Sequence, residues 1–135
     1  MLKYISKEEY KTLLGVNSAP DDFDNLVIKA SAYINHKTFG RINPNDVCEE
    51  VKYVTCLIVD LINEKEVKIK NIGNLSSENI EGWSVSYQDA DSIELEYSNK
   101  MYDVLRDYLW NVTDSNGTRL LYLGVKLYEW LVLYS

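Results

Sequence analysis

Between Val47 and Ile62, apolar side chains occupy more than half of a helical circumference, and this stretch limits the chain to folds in which one helix is covered by several neighbours. At 3.6 residues per turn Val47, Val51, Val54, Leu57, Ile58, Leu61 and Ile62 fall on one side, while Cys48, Thr55 and Val59 widen the arc. Residues 46 to 66 are therefore expected to form the central helix, capped by Asn45 or Asp46, with the other elements packed round it.

Those elements can be placed from their start and stop signals. Ser6-Lys7-Glu8-Glu9 spells a capping box, so a short first helix runs to about Leu14 and stops at Gly15. Ser18-Ala19-Pro20-Asp21-Asp22 opens a second helix, with Pro20 in its first turn and aspartates against the positive helix end. It extends to about Lys37, with Phe23, Leu26, Val27, Ala30, Tyr33 and Ile34 facing the core and Asp22, Asn25, Lys29 and His36 facing water. Gly40 and Pro44 interrupt the pattern before the central helix.

From Val67 to Asp91 the pattern changes to short alternation, first Val67 and Ile69 and then Trp83, Val85 and Tyr87, which predicts a loop or irregular hairpin. Residues 92 to 112 give a fourth helix with Ile93, Tyr97, Met101, Val104, Leu105, Tyr108 and Leu109 on its apolar side and Trp110 towards its polar side. A polar turn around Asn116-Gly117 follows. The expected fold is mainly α. It is a compact bundle of about four helices in a domain of residues 1–118, with residues 67–91 inserted between the third and fourth, then an apolar tail of residues 119–135.

That tail is the chain's anomaly. Leu120 to Tyr134 is apolar nearly all round, whereas chain ends are usually polar and frayed, and a sticky segment left in water invites aggregation. It needs cover, from this subunit's own core or from another chain. Gly124, Lys126 and Glu129 interrupt it, and it is shorter than the ~20 residues of a membrane helix.

At 135 residues the chain has room for one core, and a 46% hydrophobic, 26% charged composition is that of a folded globular protein. A net charge of -7 opposes tight binding of nucleic acid, although an acidic wall suits DNA that must slide past without adhering. Cys48 and Cys56 stand roughly 12 Å apart along a helix, too far for a disulfide. Two free thiols and no secretory leader at Met1 to Tyr10 lead one to expect synthesis in a cytoplasm.

Chemistry-bearing patterns are scarce. His36, the one histidine, lies on a wet helix face with no ligand at metal spacing. No P-loop, dinucleotide fingerprint or nucleophile elbow occurs, and Ser84 and Ser86 have no activating base nearby in sequence. Asp89-Ala90-Asp91 lacks the glycine and distal glutamate of a calcium loop and reads as a helix cap. No catalytic residue, metal or cofactor is expected. Eleven tyrosines and three tryptophans, several outside the core faces, are the composition of a surface that meets other surfaces.

Several segments, in order, resemble one family. Tyr4-Ile-Ser-Lys-Glu-Glu-Tyr10 precedes a glycine; Phe23 to Ile34 carries Phe-x-x-Leu and an Ala-x-x-Ile run; Thr38-Phe-Gly-Arg41-Ile42 closes that helix. Later come Ser77-Glu78, Gly82-Trp-Ser-Val-Ser-Tyr87 and Leu120-Leu-Tyr-Leu-Gly124. Together they resemble the head-tail connector, or adaptor, proteins of long-tailed bacteriophages and prophages, over nearly the whole chain. The chain departs in the spacing of Glu78 from Gly82 and in continuing past Gly124.

The resemblance implies a structural subunit of the virion neck, made in the host cytoplasm, that forms a ring, commonly of twelve copies, beneath the portal protein. DNA passes through the ring, and a stopper or tail-completion protein lies below. By position, Leu120, Leu121, Tyr122, Leu123, Val125, Tyr128 and Trp130 become candidates for portal contact. Trp83, Val85, Tyr87 and Trp110 become candidates for contact with a neighbouring subunit or the stopper. The competing expectation is a monomeric acidic binding module, an inhibitor or accessory protein whose tail is packed internally.

Overall fold

The computed structural model of the protein describes residues 1–78 and 90–122. Among the described residues the regular structure is four helices, α1 (Lys7–Leu14), α2 (Phe23–Lys37), α3 (Glu49–Glu78) and α4 (Ala90–Leu109), and the fold is the mainly α bundle expected. α3 packs against each of the other three, so the helix with the widest apolar arc is the central one.

Local chemistry sets several of the boundaries. Ser6 accepts from the Glu9 amide at 3.1 Å while the Glu9 carboxylate accepts from the Ser6 amide at 3.0 Å, completing the capping box. Gly15 then ends α1 in the left-handed conformation, φ +66°. α2 begins later than Ser18: Pro20 lies in the turn before it, accepting from the Phe23 amide at 3.1 Å, and Asp22 is its N-cap. α3 likewise starts at Glu49 and not after Asn45 or Asp46. Those two residues are taken up by a turn in which Asn43 accepts both of their amides, through its side chain and its carbonyl respectively.

The largest correction concerns residues 67–78, which continue α3 as helix and do not form a loop or hairpin strand. Half-buried Ile69 and Ile72 prolong the stripe of Ile58 and Ile62 at helical spacing, whereas Val67, paired with Ile69 in the alternating reading, is 50% exposed. α4 lies against α3 where the extension begins: Lys65 pairs with Glu94 at 3.2 Å, Lys68 sits 5.2 Å from the Tyr97 ring centroid, and the Tyr97 hydroxyl donates to Glu64 at 3.3 Å. Residues 79–89, the remainder of the expected hairpin, lie outside the described residues.

The core gathers Tyr4 and Ile5 ahead of α1, Tyr10 of α1, Phe23, Leu26, Val27, Ala30 and Ile34 of α2, and Val51, Val54, Ile58, Val59 and Ile62 of α3. Met101, Leu105 and Leu109 of α4 close it. Each large apolar side chain buried here contributes roughly 1.5–3 kcal/mol by leaving water. Tyr108, expected on the apolar side, is 46% exposed and meets Tyr53 edge to face at 5.4 Å. Polar ties connect α3 to its neighbours: Tyr10 to Asp60 at 2.5 Å, Lys52 to Glu9 at 2.7 Å, and Lys29 to Glu66. Burial first, then the Asp60 hydrogen bond, pushes the Tyr10 phenol well above its ordinary value.

After α4 the chain reverses in a tight turn. Asp114 accepts from the amides of Asn116 and Thr118 at 2.9 Å each, and Gly117 takes φ +82°, a conformation glycine adopts without steric cost. A single bridge pairs Thr113 with Arg119, and the Leu120 amide donates to Val112 at 2.9 Å. Leu120 is 2% exposed in the core, so the folded body extends beyond the expected boundary at 118 through at least that residue.

Candidate docking surface at the root of the C-terminal segment

The side chain that fixes where the tail begins comes from the other end of the fold. Thr38 caps α2 with its hydroxyl on the Ile34 carbonyl at 2.8 Å, then Phe39 and Gly40 take φ values of +59° and +69° and turn the chain sharply. For a residue with a side chain, the left-handed conformation costs roughly 1–2 kcal/mol. It brings Arg41 to the tail root: its Nη1 donates to the carbonyls of Arg119 at 2.9 Å, Leu120 at 3.2 Å and Tyr122 at 2.5 Å. One nitrogen with two protons thus serves three acceptors, so at least one of its protons is shared between two carbonyls. The guanidinium also lies 4.9 Å from the Phe39 ring centroid, which offsets part of the strain.

Beside this clamp runs a groove of about 610 Å³ with mostly apolar walls, formed by Asn35 to Lys37, Phe39 and Gly40 at the end of α2, by Tyr102 of α4 and by Leu121. Phe39 and Tyr102 are exposed, 52% and 45%. The chain's three arginines each cover an exposed aromatic: Arg41 on Phe39, Arg106 on Tyr102 at 6.0 Å, Arg119 on Trp110 at 5.4 Å. An otherwise acidic chain therefore presents its arginines with its exposed rings, the residue types that dominate binding hot spots.

The candidate contact residues divide accordingly. Trp110 is exposed, as its polar-side placement required. Leu121 and Tyr122 are half-buried at the groove and the clamp. Leu120 is corrected: its side chain fills this subunit's own core and cannot serve another chain without leaving it. Leu123, Val125, Tyr128, Trp130, Trp83, Val85 and Tyr87 lie outside the described residues. Sequence reading missed the roles of Phe39 and Tyr102. The signal for the first was the Phe39-Gly40 pair at a helix end, where a left-handed turn was foreseeable.

Other side chains suited to chemistry are occupied or apart. His36 is exposed, and among the described residues no group of three or more His, Cys, Asp or Glu could hold a metal ion. Burial, then Asp60, pushes the Cys56 thiol up to about 12, and burial also raises Cys48 although amides at the start of α3 pull it down. Among the described residues no helix is long and apolar enough to cross a membrane. Comparison with protein-family models, with curated proteins and with solved structures gave no match.

Proposed function

We propose that this chain is a structural head-tail connector subunit that stands in a ring beneath a phage portal, extends the DNA channel and joins the capsid to the stopper or tail. In this reading it catalyses nothing, and its apolar C-terminal segment docks on the portal. The resemblance supplies the family. The observation that carries the reading is the Arg41 clamp, because it joins two of the segments that bear the resemblance, Thr38–Ile42 and Leu120–Gly124, and holds the root of the tail beside exposed aromatics. A function that depends on where a segment leaves the body requires such a fixed root.

The test is to mix the purified full chain with the portal ring of its own phage and image the particles. Added density in a ring on the portal is the expected result, and portals that stay bare sink the proposal. Removing Val125 to Ser135 should weaken docking while the helical body melts as before; undiminished docking would remove the tail's assigned role. The rival reading, a monomeric acidic module, draws on the internal packing of Leu120. It predicts that the same truncation unfolds the body and that no ring forms.

A further inference from the structure

We infer that the outer face of α4, with the turn that follows it, is a docking surface for a protein partner that presents carboxylates. Tyr102 and Arg106 of α4, and Trp110 just after it, recur every four residues and are all exposed. Leu95, 64% exposed, extends the stripe two turns towards the start of the helix. The final turn adds Arg119, exposed and set against Trp110. Tyrosine, tryptophan and arginine are the residue types that carry most binding energy at protein interfaces.

The arginines decide the chemistry of the partner. The chain carries 21 acidic residues against 14 basic ones, so a cation meant for internal pairing has no shortage of carboxylates. Among the described residues every ion pair is nevertheless made by a lysine. Arg106 has Asp103 one turn back and Asp107 next in sequence, yet pairs with neither. Its guanidinium lies over the Tyr102 ring at 6.0 Å, as that of Arg119 lies over Trp110 at 5.4 Å. A ring beneath a guanidinium holds it without using its N–H groups, and neither side chain donates a hydrogen bond among the described residues. Two planar forks of donors therefore stand exposed and positioned in advance, which lowers the ordering cost of binding. A carboxylate accepts such a fork through two parallel hydrogen bonds. Phosphates fit it too, but a chain of net charge -7 repels the dense charge of a nucleic acid more than the scattered carboxylates of a protein surface. Portal docking tests the connector reading; this surface is tested without a portal.

The full chain is titrated at low salt against two dye-labelled peptides, one of alternating glutamate and serine and one in which glutamine replaces glutamate. Despite the chain's negative charge, the glutamate peptide is expected to bind about tenfold or more tighter than the glutamine peptide, and Arg106→Gln with Arg119→Gln should remove that preference. Arg106→Lys with Arg119→Lys should restore only part of it, because an ammonium keeps the charge without the fork. Both arginines are exposed, so the thermal melt of each variant should hold. Removing equal charge elsewhere, by Lys7→Gln with Lys70→Gln at two exposed lysines that make no ion pair among the described residues, should leave the preference intact. Equal binding of the two peptides by the wild type overturns the inference. So does an equal loss in the lysine control, which would mean diffuse electrostatics, or tighter binding of a single-stranded DNA of the same charge, which would mean a nucleic-acid site.

Discussion

Arg41 donates to the carbonyl of Tyr122 across 81 positions of sequence at 2.5 Å, and so ties the turn after α2 to the root of the C-terminal segment. With the Arg119 and Leu120 carbonyls on the same nitrogen, the contact is charge-assisted and geometrically specific. Arg41→Ala should lower stability by about 1–3 kcal/mol, since three acceptors lose a charged donor but can turn to water in part. Arg41→Lys should recover only part of this, because the shorter lysine side chain must carry its ammonium to the point that Nη1 occupies. Exchange of the Leu120 amide, bonded to Val112, reports the loosening directly; unchanged exchange in Arg41→Ala would refute the clamp.

The C-terminal half of α3 can be tested by proline. Lys70 is exposed within the helix, and a proline there removes a helical hydrogen bond and clashes with the carbonyl four residues back, at a cost of about 3 kcal/mol. Were residues 67–78 a loop, Lys70→Pro would leave a denaturant midpoint almost unmoved.

Glu9 serves the capping box and Lys52 together, and the Lys52 hydrogen bond leads in holding its carboxyl below the usual value. A depressed folded-state pKa means stability that is fully present above the unfolded value of about 4.3 and is lost as pH falls through the folded value. Glu9→Gln keeps a capping acceptor but cannot ionise, so its melting temperature should fall less steeply than the wild type's over that acid range. Both residues are partly exposed, so the difference should be under about 1 kcal/mol. Parallel acid melts of the two proteins would show it.

The thiols should be slow. With its pKa near 12, Cys56 is ionised at pH 8 to only about one part in ten thousand, and it is fully buried besides. Cys48 is half-buried, with its pKa also raised. Native alkylation should therefore modify Cys48 first and Cys56 only on unfolding. Equal rates for the two under native conditions would contradict the packing around α3.

What could be read in advance follows from how local each signal is. The capping box at Ser6, the stop at Gly15 and the core stripe of α2 were legible because they depend on neighbours within one or two turns. Residues 67–78 were misread because their helical period continues from Ile58 and Ile62, while Val67, Lys68 and Ile69 taken alone alternate like a strand. The Lys68–Tyr97 ring contact at the start of the extension, and the Lys65–Glu94 ion pair just before it, tie α3 to α4 there, and those partners lie about thirty residues away.

By itself the sequence determined a helical bundle organised about one broadly apolar helix, because periodicity and caps act along the chain. It also determined that the C-terminal segment is too apolar to stay bare, because composition alone sets that cost. Only the tertiary structure decided which surface stands beside the root of that segment, at Leu121 and Tyr122. Arg41, Tyr102 and Leu121 come from three separate stretches, and their meeting depends on how α2, α4 and the final turn close on α3, which no local pattern encodes.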